Sequence, residues 1–135
     1  MRKYILAILI LGSLNLNGQT LNERKALLIK AIALRESTYK SDTINIKENA
    51  VGYLGIRPIM VAEVNRILKK NKYTLKDRLS KKKSIEMFII YQNYWNPKWI
   101  YEIACRIWNG GPRGMFKKET IKYWKDILND KIIKK

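Results

Sequence analysis

Glu36 is the side chain whose position in this sequence is best suited to chemistry. Leu28, Ile32 and Glu36 fall four apart, with Ile29 and Ala33 beside them. The carboxyl therefore continues an apolar helical stripe by one turn and points toward a core. Helical periodicity stops directly after it, which places it near the negative end of a helix dipole. Partial desolvation and that dipole both oppose ionisation, so they raise the pKa toward the range of a general acid at neutral pH. A purely structural carboxylate, capping the helix or pairing with Arg35, remains open on position alone. Competing chemistries are few, because the 135 residues include no His and a single Cys. That excludes a Ser-His-Asp or Cys-His relay, a His-containing zinc site, an internal disulfide and multi-Cys clusters. Cys105 falls within a predicted helix, off its apolar stripe and without an activating neighbour, and is expected to pack. Acid–base work is left to carboxylates, Lys or Tyr, and neither metal nor cofactor is expected.

The elements that must hold Glu36 read as helical almost throughout. Asn22 is a plausible cap for the first helix. Residues 37–55 are rich in Ser, Thr, Asn, Asp and Gly and predict a long shaped loop, with room for a short hairpin. Pro58 suits the first turn of a second helix running to about Lys70. A Lys-rich connection leads to a helix near Lys82–Trp95, with Ile85, Phe88, Ile89 and Tyr91 or Gln92 inward. Pro97 is read as opening a helix striped by Ile100, Ile103, Ala104 and Ile107, stopped by Trp108-Asn109-Gly110-Gly111-Pro112. A last helix, from Lys117 to Ile132, buries Ile121, Trp124, and Ile127 or Leu128. The expected architecture is mainly α: five helices around one core, with an irregular lobe or short hairpin after the first.

Four short motifs occur in order along this frame. They are Glu36-Ser37 at a helix end, Gly52-Tyr53-Leu54-Gly55-Ile56, Ile107-Trp108-Asn109-Gly110-Gly111, and Tyr123 after the pair Glu119-Thr120. In order and spacing they resemble the lysozyme-like lytic transglycosylases, the soluble type related to goose-type lysozymes, across residues 26–128. The resemblance implies a lysozyme-like helical domain that cleaves the β-1,4 bond between N-acetylmuramic acid and N-acetylglucosamine. Glu36 would be general acid and then base, closing a 1,6-anhydro sugar without a metal or second carboxylate. Ser37, the backbone of Tyr53, Leu54, Gly55 and Ile56, Asn109 and Tyr123 would orient the sugar or Glu36. Trp108 would stack on a sugar face or else belong to the core.

One departure stands out: Gly55 occupies the place where the family usually carries Gln. Its loss would weaken activity or leave the site to be rebuilt by Tyr53 or Arg57, and Gly55 also has a plain reading as turn geometry. The alternatives are a lysozyme-fold peptidoglycan-binding protein without turnover, and a hydrolysing lysozyme. The latter normally needs a second carboxylate, for which Asp42 and Glu48 lie in the right segment.

The charge balance, 28 Lys plus Arg against 11 Asp plus Glu, points to polyanionic surroundings. Arg2 and Lys3, the apolar run Tyr4–Leu11 and the softer stretch to Gly18 read as a secretory signal. The domain expected to remain is 19–135, exported to the periplasm or outside the cell and monomeric. Its expected partners are peptidoglycan strands and anionic envelope polymers, with no nucleic acid. Lys69, Lys70, Lys72, Lys76, Arg78, Lys81, Lys82 and Lys83 form the densest basic run, expected to be a solvated face or an electrostatic anchor.

Overall fold

Thr20 and Glu23 start the first helix by satisfying each other's backbone. The Thr20 hydroxyl accepts from Glu23 N and the Glu23 carboxylate accepts from Thr20 N, both at 3.1 Å. This capping box sets the start of α1 at Leu21, two residues before the position Asn22 would give as a cap. The computed structural model describes residues 18–134, so all of the export-signal reading but Gly18 lies outside the described residues. Helix α1, Leu21–Ser37, ends where Thr38 turns left-handed (φ 50°). A two-stranded antiparallel hairpin follows, β1 Ile44–Asn45 against β2 Ala50–Val51, with Ile44 opposite Val51. Val51 also exchanges backbone hydrogen bonds with Ile56, folding residues 52–55 into a tight turn.

Helix α2, Pro58–Leu68, has its proline in the first turn as expected. It stops before Lys70 because Lys69 takes a left-handed conformation at φ 57°. Ser80 caps α3, Lys81–Trp95. Helix α4 spans Tyr101–Gly110 and α5 spans Glu119–Asn129, with a short 3₁₀ turn at Gly114–Phe116 between them. The protein is mainly α, with a short hairpin after the first helix. Among the described residues no helix is long and apolar enough to cross a membrane.

Several local readings are corrected. Pro97 does not open a helix. Asn96 organises a turn by accepting from Trp99 N on its carbonyl and from Ile100 N on its side chain, and α4 begins only at Tyr101. Ile100 is consequently exposed, while Cys105 is fully buried within the true stripe of α4. In α3, Met87 takes a core position that periodicity had assigned to the half-buried Ile85 and Ile89, and Phe88, Tyr91 and Gln92 are all buried. Tyr91 and Gln92 can both face inward because α4 supplies acceptors, Ile107 O at 3.0 Å and Ala104 O at 3.2 Å. In α5, Ile121 is exposed and Thr120 is buried. The Thr120 hydroxyl bonds to Gly114 O and accepts from Arg106 Nε, so a polar network holds that core position.

The Lys-rich connection contains a 3₁₀ helix, Leu75–Leu79, closed by a Thr74–Asp77 capping box. Arg78, counted above with the solvated run, is buried there instead. Its guanidinium donates to Leu75 O at 2.9 Å, Asn49 O at 3.0 Å and Ile56 O at 3.2 Å. One cation thus fastens the hairpin and the 52–55 turn to the start of α3. Arg78→Leu is expected to destabilise the protein by about 3 kcal/mol, since three carbonyls lose charge-assisted donors at once. Arg78→Lys should recover little of this, lacking the planar fork. Urea unfolding measures both; a loss below about 0.5 kcal/mol would return Arg78 to the class of ordinary surface residues.

Candidate active site

The left-handed exit from α1 and the hairpin place the last turn of that helix against the 52–55 turn. Ser37, buried, ties the two together: its hydroxyl donates to Tyr53 O at 2.8 Å and lies 3.1 Å from Ala33 O. Trp108 does the same from α4, donating from its indole nitrogen to Leu54 O at 3.0 Å. Its ring packs edge-on against Phe88 at 4.8 Å and Tyr91 at 5.6 Å. Trp108 is therefore a core residue that also fixes the turn, and not an exposed platform for a sugar. Leu54 and Ile56 are fully buried, and their carbonyls accept from Trp108 and Arg78 respectively.

Glu36 sits where these elements meet. Its Oε1 accepts from the Tyr123 hydroxyl of α5 at 2.7 Å, a contact between residues 87 positions apart. Burial holds the Glu36 pKa above its ordinary value of 4.5. The Tyr123 hydrogen bond, then the Arg57 charge, partly offset that rise, while Glu48 adds to it. Tyr123, pushed well above its own ordinary value mainly by burial, stays a donor throughout the physiological range. Arg35 does not partner Glu36. It pairs with Asp130 at 3.0 Å and donates to Asp126 O, securing the end of α5. The salt-bridge reading of Glu36 with Arg35 thereby falls.

Gly55 packs closely against the carboxylate. It is left-handed at φ 61°, and a Cβ there would lie 2.5 Å from Glu36 Oε2 and 3.0 Å from Cδ. The glycine serves turn geometry and close approach together. On its open side Gly55 lines a cleft of about 170 Å³ with Arg57, Ile59, Met60, Trp108, Asn109 and Lys117 among its walls. The Asn109 side-chain amide lines that cleft without a partner among the described residues. Of the residues proposed to rebuild the missing Gln, Arg57 reaches the cleft, whereas Tyr53 lies under Lys81 (4.7 Å) and lines another groove with Tyr39 and Ile85. Between the acids of the loop, Glu48 is brought to Arg57, 3.8 Å away, and its charge is felt at Glu36. Asp42 is exposed and unpaired among the described residues. A wider groove of about 790 Å³ along α2 contains no carboxylate.

Lys117 is a cleft residue that the sequence reading missed, because it lies in an irregular link and matches no motif. Arg57 was legible only as a neighbour of the 52–56 motif. Among the described residues no cluster of His, Cys, Asp or Glu suits a metal. No protein-family model matches the chain, and no curated protein matches it. What this arrangement offers is one partly desolvated carboxyl, held by a tyrosine hydroxyl and packed against a glycine that lines the cleft.

The hydrogen bond from Tyr123 stabilises the charged form of Glu36. Tyr123→Phe should therefore move the Glu36 titration midpoint upward, as read by carbon-detected nuclear magnetic resonance of the side-chain carboxyl. A midpoint that stays put or falls would show that the 2.7 Å contact does not govern the ionisation.

Proposed function

We propose that this chain is a peptidoglycan lytic transglycosylase of lysozyme-like fold, exported to the periplasm or beyond and acting as a monomer on glycan strands. The observation that carries the reading is a partly buried Glu36 carboxyl held by Tyr123 and packed against Gly55, which in turn lines the cleft. In this reading Glu36 gives its proton to the glycosidic oxygen between N-acetylmuramic acid and N-acetylglucosamine as the bond to C1 breaks. The carboxylate then removes the proton of the muramoyl 6-hydroxyl, whose oxygen bonds to C1 and closes the 1,6-anhydro ring. Tyr123 keeps Oε1 oriented, and Ser37 and Trp108 act at one remove by fixing the turn behind the carboxylate. Asn109 is the side chain free to bind the sugar. The excess of positive charge suits retention near anionic envelope polymers.

Glu48 gives a second reading some footing, since a second carboxyl group whose charge acts on the general acid is what a hydrolysing lysozyme uses. Product analysis separates the readings. Purified peptidoglycan incubated with the protein should release 1,6-anhydro-muropeptides, detected by mass. Products with reducing-end muramic acid would assign hydrolysis. Binding to the polymer without any soluble product would assign a non-catalytic role.

A further inference from the structure

The aromatic pair at the end of α3 takes no part in the site at Glu36. Tyr94 is 51% and Trp95 38% exposed, and their rings meet edge to face at 4.9 Å. A polar network on α2 holds both rings. Trp95 donates from its indole nitrogen to Glu63 at 3.0 Å, and Arg66 grips the same carboxylate through bonds of 2.7 and 2.8 Å. The Arg66 guanidinium also lies 5.4 Å from the centre of the Tyr94 ring. Two amphipathic rings are thus ordered at the surface before anything binds them.

Arg66 also lines the wide groove along α2, together with the exposed Lys69, Lys70 and Leu75. That groove shares no lining residue with the cleft at Gly55. Among the described residues neither Lys69 nor Lys70 forms an ion pair. The carboxylates of this region are engaged elsewhere: Glu63 accepts from Arg66, Asp77 from Lys83 and Glu86 from Tyr73. The C-terminal dipole of α2 favours cations here, but it is equivalent to only about half a charge. Arg66, Lys69 and Lys70 together exceed that. Unpaired ammonium groups beside ordered Tyr and Trp rings and an exposed leucine suit the surface of an anionic bilayer. There the rings sit at headgroup level and the cations meet the lipid phosphates. A dissolved anionic polymer would satisfy the lysines and leave the rings and Leu75 in water.

We propose that the C-terminal ends of α2 and α3 form a membrane-docking face, on which Tyr94, Trp95 and Leu75 enter the headgroup region of an anionic bilayer while Lys69 and Lys70 bind its phosphates. The contact is peripheral, and it stands apart from the glycan reading because it uses none of the cleft residues.

The test is co-sedimentation of the full-length protein with vesicles of phosphatidylcholine alone, or of phosphatidylcholine mixed with phosphatidylglycerol. Partition onto the anionic vesicles should be at least about tenfold stronger, and added salt should weaken it. Lys69→Gln with Lys70→Gln should lower that partition at least about tenfold. Leu75→Ser with Tyr94→Ser, which leaves the bond between Trp95 and Glu63 in place, should lower it at least about fivefold. Acyl chains brominated near the headgroup should quench tryptophan fluorescence. The signal reports Trp95, because Trp99, Trp108 and Trp124 are buried. Trp95→Phe should remove the quenching and retain the binding. Absence of binding to anionic vesicles, or equal binding to neutral ones, would overturn the proposal. Anionic binding that survives both double substitutions would place the contact elsewhere on the chain and overturn this face. Binding that depends on the lysines alone, without quenching, would assign them to soluble anionic polymers and overturn the bilayer as partner.

Discussion

Glu36→Gln should abolish release of soluble muropeptides while leaving the protein folded and, at neutral pH, harder to unfold. The loss of activity follows from the role: an amide of the same shape can neither donate the proton nor retake it, and a positioned acid–base group is worth on the order of 10²–10⁴ in rate. The stability gain follows from linkage. Burial raises the folded-state pKa of Glu36 above its ordinary value of 4.5. The native state therefore binds the proton more tightly than the unfolded chain does. Protonated Glu36 stabilises the fold fully at pH values below the unfolded pKa. That contribution is lost as pH rises through the folded pKa. Above it, the wild type keeps a desolvated charge that Gln does not have. The glutamine carbonyl can still accept from Tyr123, so the 2.7 Å hydrogen bond need not be lost. Thermal melts should show the variant ahead at pH 7 and level with wild type in acid. Retained activity would remove Glu36 from the mechanism. A variant less stable at neutral pH would make the carboxylate a structural group and not a functional one.

Gly55→Gln, the substitution that would install the side chain usual in the resembled family, should lower activity by at least about tenfold instead of raising it. A side chain at φ 61° costs about 1–2 kcal/mol. The larger effect is steric, because the new Cβ would sit 2.5 Å from Glu36 Oε2. That atom ends a flexible side chain, so the carboxylate would move and the fold would survive. Displacement takes Glu36 out of reach of Tyr123 and toward water. The main cause of its raised pKa is burial, so the pKa should drop toward the ordinary value and a smaller fraction of the acid would carry its proton at any given pH. The pH–activity profile should shift to lower pH along with the fall in rate. Increased activity at unchanged pH would mean that the carboxylate's packing against Gly55 is not its working position.

Much of the fold was legible because helical periodicity is a local property. The stripe through Leu28 and Ile32, the start of α2 at Pro58 and the burial of Trp124 and Ile127 follow from spacing alone. The errors lie where a side chain finds a hydrogen-bond partner that spacing does not show. Thr120 could be placed in the core only once Arg106 and Gly114 were beside it. Arg78 left the basic run because carbonyls from Asn49 and Ile56 were waiting for it. Pro97 misled because Asn96 had already set the turn.

By itself, the sequence determined that a carboxyl stands at the end of an apolar stripe, in a chain without His, and that three further short motifs follow it in order. Only the tertiary structure decided what surrounds that carboxyl. Tyr123 is 87 residues away, Gly55 supplies an absence that Glu36 fills, and Arg57 and Lys117 come from different segments to wall the cleft. The physical reason is that desolvation and Coulomb interaction act over a few ångströms of space and take no account of distance along the chain.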